Sequence, residues 1–568
     1  MKQKIIIYQT FPRLFGNENA TNHPNGSIAE NGVGKMKDYS EKVIQSIKSL
    51  GCNYIWYTGL LQQATQTDYS DHGIPRQNPY VVKGKCGSPY AITDYYSVSP
   101  DLAMNVESRM QEFDELVERT HGCGMKMIID FVPNHVARQY QSLLKPEGVT
   151  DLGEKDRKEE AFCAQNNFYY IPGHEFAPGI DLGRGEEQYR EYPAKATGND
   201  CFHSYPGIND WYETVKLNYG VNYQDGTKHF DPIPDTWLKM EHILRYWAAK
   251  GVDGFRCDMA HMVPVEFWEW VIPKIKEKFP EVIFIAELYD PALYRDYIFK
   301  GHFDYLYDKV GLYDTLRGVI SGYLPATTIT GQWQALEGIQ QHMLNFLENH
   351  DEQRIASEYF AGDPFKAIPA LIVSAMMNVN PFMIYFGQEL GETGMDEEGF
   401  SGKDGRTSIF DYYSLDKMRR WNDGGKWDES LLTEAEKTLR RLYQRVLTAC
   451  NSEEAIREGE FFDLMYANFD QPNFNLDEEY AFLRKKGNEL FVIAVNFSDK
   501  NQETEINIPW HAFEHLRITP GDYNYSELLS EGTGHCRISP DSLFSIGIGA
   551  HSGVLCKIIL PESQDEKK

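Results

Sequence analysis

Four acidic residues and one arginine carry the chemistry this chain is equipped to do. Asp130 closes the apolar run MKMIID, Asp258 closes GVDGFRCD, Glu287 closes VIFIAE and Asp351 follows MLNFLENH. A single acid at a strand end is commonly a helix cap or a loop anchor. Four of them, each ending its own apolar run, are what one shared acidic site requires. Arg256 precedes Asp258 by two residues, and strand side chains alternate, so both project from one face. A permanent cation at that range favours the ionised carboxylate, which leaves Asp258 charged and able to attack. Glu287 is reached through the apolar IFIA, an approach that favours the protonated form a general acid needs. One ionised and one protonated carboxyl on neighbouring strands suit glycosidic cleavage through a covalent intermediate. The competing reading of Arg256 and Asp258 is an ion pair that only braces the interior.

Three further side chains fit the same chemistry. His135 in DFVPNH and His350 in ENHD follow two of these apolar runs, where neutral imidazoles can donate to hydroxyl groups without adding charge. Tyr90, in GSPYAITDYY, offers a ring face on which a sugar can lie.

Such residues need a frame that brings distant segments to one place. Eight short apolar runs supply it: KIIIYQTF, NYIWYTGL, MKMIIDFV, GVDGFRCD, VIFIAEL, HFDYLYD, MLNFLENH and PFMIYFG. Amphipathic segments lie between them. In Pro234 to Lys250, Trp237, Met240, Ile243, Leu244 and Trp247 recur at helical spacing and Gly251 stops the helix. Asn105 to His121 behaves alike, with Met110, Phe113, Leu116 and Val117 inward. Continuous apolar strands alternating with helices predict a parallel sheet, and eight repeats predict an α/β fold closed as a (β/α)8 TIM barrel; an open doubly wound sheet is the alternative. In a barrel of this kind functional groups belong at the carboxyl ends of the strands, where the four acids lie.

Asp258 to Glu287 spans 29 residues and Glu287 to Asp351 spans 64, close to one and two strand–helix units, whereas Asp130 to Asp258 spans 128. The surplus, rich in Gly, Pro and charge, reads as an inserted subdomain over 137–212 after the third strand. It divides the catalytic barrel into 1–136 and 213–450. From residue 451 short alternating segments predict a C-terminal antiparallel β-sandwich domain over 451–568.

Composition narrows the partners. Lys plus Arg number 56 against 84 Asp plus Glu, a net charge of −28 that argues against nucleic acid and anionic membrane surfaces. The 35 Tyr and 10 Trp suit stacking on neutral rings. Nine scattered cysteines without a C-x-x-C pair read as reduced thiols, and the apolar stretch after Met1 is too short for an export signal, so a cytoplasmic location is expected. The apolar stretch from Ile368, IPALIVSAMMNVNPFMIYF, is interrupted by prolines and asparagines and reads as a buried helix and strand rather than a membrane span.

DFVPNH, GFRCDMAH, the glutamate ending FIAE, and FLENHD, in that order, resemble the α-amylase superfamily of retaining glycoside hydrolases (glycoside hydrolase family 13 type). The resemblance runs over nearly the whole chain. It implies Asp258 as nucleophile, Glu287 as acid/base and Asp351 as the third carboxylate, which holds sugar hydroxyls and favours ring distortion. It places Tyr90, His135, Arg256 and His350 around the same sugar and Asp130 in a supporting role behind them. Asn134 matches a residue that binds calcium in many members; the chain carries Ala260, His261 and Met262 where those members usually have Lys-His, so a structural Ca2+ is left open and no cofactor is required. GQELGE and GRTSIFDYY also resemble members acting on maltodextrin-like sugars. The expected reaction is cleavage of α-glucosidic bonds, α-1,4 above others, in starch-derived oligosaccharides or maltodextrins through a glycosyl-aspartate. The alternatives are transfer to a sugar hydroxyl at the same site, a sugar-binding relative without turnover, and Mg2+-dependent enolate chemistry, against which Arg256 argues because it repels a metal.

Overall fold

The computed structural model describes residues 3–179, 188–394 and 402–561. All eight apolar runs form strands, and they close into a parallel barrel: β1 (Ile6–Thr10), β2 (Tyr54–Tyr57), β3 (Lys126–Phe131), β4 (Gly254–Cys257), β5 (Ile283–Ala286), β6 (Tyr305–Tyr307), β7 (Met343–Phe346) and β8 (Phe382–Tyr385). Each strand pairs with its sequence neighbours, and β8 returns to β1 through Ile6 opposite Phe382. Closure removes both sheet edges. Apolar side chains including Ile7, Tyr54, Trp56, Ile128, Ile285, Tyr307, Leu344 and Met383 pack together as one of the buried clusters.

Space inside this barrel is tight at Gly254. A Cβ there would lie 2.7 Å from Ile283 Cγ1 and 3.1 Å from Ile128 Cγ1. The helix over Asp235–Ala249 buries Trp237, Met240, Ile243, Leu244 and Trp247 as its periodicity requires. The other expected helix begins at Arg109, after a short 3-10 turn over Val106–Ser108 whose cap is the Asn105 side chain. The Ile368 stretch is a helix over Ile368–Met376 followed by β8, and among the described residues no helix is long and apolar enough to cross a membrane.

Between β3 and β4 the chain makes an excursion held by small antiparallel pairs. His135–Ala137 pairs with Thr214–Lys216, and Tyr170–Ile171 pairs with Ala194–Lys195. A further pair, Val221–Asn222 with Thr227–Lys228, carries the excursion past residue 212 to the Asp235–Ala249 helix. Residues 180–187, part of the charged stretch assigned to the insert, lie outside the described residues. After a long helix over Glu434–Ser452, a six-stranded antiparallel sheet and a two-stranded pair form the C-terminal β region. Arg484 ties that region to the barrel: it is fully buried and donates to the carbonyls of Met376 (3.0 Å), Ile456 (3.0 Å) and Gly459 (2.7 Å). These carbonyls would otherwise be buried without donors.

The crowding at Gly254 makes the barrel's packing testable. Gly254→Val should destabilise the protein by about 1–3 kcal/mol, the usual cost of overpacking, seen as a lower denaturation midpoint. An unchanged midpoint would contradict the inward placement of this residue.

Candidate active site

The site is built where β3, β4 and β5 end. Asp130 and Arg256 are register partners, and Cys257 pairs with Ala286, so Asp258 and Glu287 each begin the next rung on adjacent strands. The ladder continues through them, with Glu287 N donating to Cys257 O (3.0 Å) and Ala260 N to Glu287 O (3.0 Å). Asp351 arrives from the turn after β7, where Asn349 Oδ1 accepts the Asp351 and Glu352 amides at 2.8 and 3.0 Å. Asp258, Glu287, Asp351, Tyr90 and His135 all line one cavity of about 550 Å³. Trp211, Glu213 and Thr214 from the excursion wall it on one side, and Ile409 and Phe410 line it as well.

Arg256 is the hub. Its side chain is fully buried, with Nη1 2.7 Å from Asp258 Oδ1 and 3.6 Å from Asp130 Oδ1, and Nη2 2.7 Å from Glu287 Oε2. Rings of Trp56, Tyr90 and Tyr307 surround the guanidinium at 5.3–5.6 Å, and Nε donates to Tyr307 Oη. The Nη1–Asp258 contact is an aligned hydrogen bond, whereas the Nη2–Glu287 contact is close in distance but misaligned, a Coulombic contact. The guanidinium therefore fills the space among Asp130, Asp258 and Glu287 in which a metal would have to sit.

The pKa directions at the Asp258–Glu287 pair run opposite to those read from the sequence. Burial alone would raise the Glu287 pKa, but Arg256, the Tyr289 hydroxyl (2.5 Å to Oε1) and the Met259 amide (2.8 Å to Oε2) outweigh it and hold Glu287 below the ordinary carboxylate range. Asp258 is pushed well up, first by burial and then by the charge of Glu287, against the pull of Arg256. The apolar approach IFIA misled because the donors to Glu287 come from Tyr289 and from the turn after Asp258, beyond the strand that carries it. Asp130 is pushed up to about 6 by burial, although Trp56 Nε1 and the Gly59 amide donate to it.

Both histidines are neutral, and their tautomers are set by amides. Gln9 Nε2 donates to His350 Nδ1 (2.9 Å), which leaves the proton on Nε2, beside Tyr90 Oη (2.5 Å) and Asp351 Oδ2 (3.1 Å). Asn134 Nδ2 lies 3.1 Å from His135 Nδ1 and does the same for that ring. Burial drives both pKa values down to about 3, helped by Lys216 at His135 and by Arg256 at His350. Tyr90 is committed on both sides, with its hydroxyl between His350 and Asp130.

The structure thus gathers Asp130, Asp258, Glu287, Asp351, Arg256, Tyr90, His135 and His350 at one end of the barrel. Tyr289, two residues after Glu287, and Trp211 are cavity residues that the strand-end rule passes over, because each sits in a loop. Met259 is another; its backbone is left-handed (φ 42°), which aims its amide at Glu287. Asn134 spends its carbonyl oxygen on the Lys216 ammonium (2.5 Å), and a second oxygen on that ammonium comes from Asp200 (2.6 Å).

Comparison with known proteins bears on the family and the fold. The family model described as the catalytic domain of alpha amylase matches residues 9–284 and 324–459. The alpha-amylase MalA of Haloarcula japonica is 23% identical over 562 residues, 95% of this chain but 61% of the relative's length. The cyclomaltodextrinase of Thermoanaerobacter pseudethanolicus is 21% identical over 88% of this chain and 71% of its own. Among solved structures, the noncanonic maltogenic alpha-amylase AmyB from Thermotoga neapolitana superposes with a TM-score of 0.62 at 19% identity, covering 98% of this chain and 99% of that one. With a family model matched across both halves of its barrel, the chain belongs to the alpha-amylase family.

Proposed function

We propose that this protein hydrolyses α-glucosidic bonds, α-1,4 bonds above others, in starch-derived oligosaccharides and maltodextrins, with retention of anomeric configuration. The observation that carries the reading is the single buried guanidinium shared by Asp258 and Glu287, which both line one cavity. Family membership and relatives named alpha-amylase and cyclomaltodextrinase support the substrate class.

In this mechanism the sugar's apolar face rests on Tyr90, while the His135 imidazole and the Asp351 carboxyl take its hydroxyls and His350 holds Tyr90 and Asp351 in place. Asp258 and Glu287 hold one proton between them. It can sit on either carboxyl; cleavage needs it on Glu287. The two forms have the same net charge and the same Arg256, so the exchange costs no new charge burial. A glycosidic oxygen in place beside Glu287 accepts its proton, which favours that form. The Asp258 carboxylate then attacks the anomeric carbon, the C–O bond to the leaving sugar breaks, and its oxygen takes the Glu287 proton. Glu287, now ionised and again stabilised by Tyr289 and the Met259 amide, removes a proton from water. The hydroxyl oxygen bonds to the anomeric carbon and Asp258 leaves as carboxylate.

Two outcomes test this. Asp258→Asn keeps the shape and the Arg256 contact but removes the nucleophile; turnover of maltoheptaose should fall by at least about 10³-fold with the melting temperature retained. Substantial turnover in the variant would sink the assignment. The same substrate in the native protein, with glucose in excess, should give chiefly free reducing ends rather than lengthened products.

The pH profile supplies the second test. Donors hold the pair's first pKa low and burial with repulsion holds its second high, so the pair keeps one proton across neutral pH. A step in kcat/KM near pH 7 should mark Asp351, pushed up to about 7 by burial and then by the charge of Glu287. The acid limb of the profile should lie below the usual carboxylate range. Tyr289→Phe removes one donor to ionised Glu287, so the acid limb should move upward, by roughly 0.5–1 pH unit. A limb that stays in place would show that Tyr289 does not set the charge on Glu287.

A further inference from the structure

The Lys216 ammonium is buried, with 2% of the side chain exposed, and three oxygens surround it. They are Asn134 Oδ1 at 2.5 Å, Asp200 Oδ1 at 2.6 Å and Met262 O at 3.2 Å. The Tyr223 ring lies 5.5 Å from the nitrogen. The three oxygens come from separate parts of the chain: the turn after β3, the Thr197–Cys201 hairpin of the excursion, and the loop after Asp258. Asn134 is the position at which the family resemblance left a calcium ion open.

We propose that Lys216 is a built-in monovalent cation that stands in place of a structural calcium ion at Asn134, locking the excursion to the barrel without metal. The numbers of groups match an ammonium, not the ion. An ammonium has three N–H donors, and three acceptors are present. Calcium takes six to eight oxygens at about 2.3–2.6 Å and favours several carboxylates, whereas here one carboxylate and two neutral oxygens converge. Charge balances as well: the buried ammonium faces one carboxylate, that of the exposed Asp200, so the pair is neutral, and a divalent ion beside Lys216 would add charge with no further carboxylate to meet it.

The lock reaches the cavity. Asn134 receives Lys216 on its oxygen, and its amide nitrogen donates to Gly198 O (2.8 Å) and lies beside His135 Nδ1. The strand pair that carries Lys216 also sets His135 directly opposite it. One internal cation therefore fixes both the position of the excursion and the orientation of an amide that sets the His135 tautomer. This inference concerns the binding of metal and the stability of the fold, so it stands or falls separately from the proposed reaction.

The test begins with the native protein and needs no variant. Melting temperatures measured after exhaustive EDTA treatment and in millimolar calcium should agree within about 1 °C, since a ligand that does not bind the folded state does not shift its melting. Lys216→Met should then lower the melting temperature by several degrees in either buffer, and Asp200→Asn should lower it too. The double variant should lose less than the sum of the two, because each change removes the same contact. A native melting temperature that falls on chelation, recovers with calcium, and loses that response in Asp200→Asn would overturn the proposal. A Lys216→Met variant that melts like the native protein would overturn it as well.

Discussion

A guanidinium with no access to water, placed among three carboxylates, is the constraint on which the site depends. Burying Arg256 costs several kcal/mol unless its charge is met, and burying Asp130, Asp258 or Glu287 alone would cost as much. Together they are tolerable, because each cancels part of the other's desolvation. The barrel makes this possible by ending adjacent parallel strands on the same level, so that residues remote in sequence meet within hydrogen-bonding range. Removing the cation would leave a group of carboxyls with no compensation, and they would take up protons. The chemistry and the packing of the barrel end are thus one problem with one solution.

Everything around the hub limits its freedom. Trp56, Tyr90 and Tyr307 surround the guanidinium with ring faces, which suit a delocalised cation and exclude water. Gln9 and Asn134 orient the histidines, whose pKa values burial drives down, with Lys216 and Arg256 adding to the effect. The result is a cavity lined by ring faces, an imidazole and carboxyls, with Asp258 and Glu287 tied through one guanidinium. Its stability and its reactivity pull in different directions: Asp258 and Asp130 both rest above the ordinary carboxylate range, which is a cost the surrounding fold carries.

Much of this was legible in the sequence for a definite physical reason. Strands of a parallel barrel are covered on both faces, so they appear as unbroken apolar runs, and a charged residue ending such a run stands out. That logic located all eight strands and the four strand-end acids. It failed where the determining contact is not local. The downward shift of the Glu287 pKa depends on an arginine from the adjacent strand, on Tyr289 and on the Met259 amide, and no pattern in VIFIAEL contains them. Lys216, in ETVKLNYG, has the appearance of an ordinary strand residue, and its three oxygens are drawn from segments between 16 and 82 positions away. The pair Val221–Asn222 and Thr227–Lys228, beyond residue 212, is likewise too short to leave a period in the sequence.

The central claim is that Asp258 forms a bond to sugar while Glu287 exchanges the proton. A 5-fluoro-α-glucosyl fluoride, whose intermediate turns over slowly, allows that bond to be seen by peptide mass spectrometry after rapid digestion. The account predicts a single added fluoroglucosyl group on Asp258, lost on incubation with maltose. A label on Glu287 or Asp351, or release of product with inverted configuration and no label at all, would contradict it.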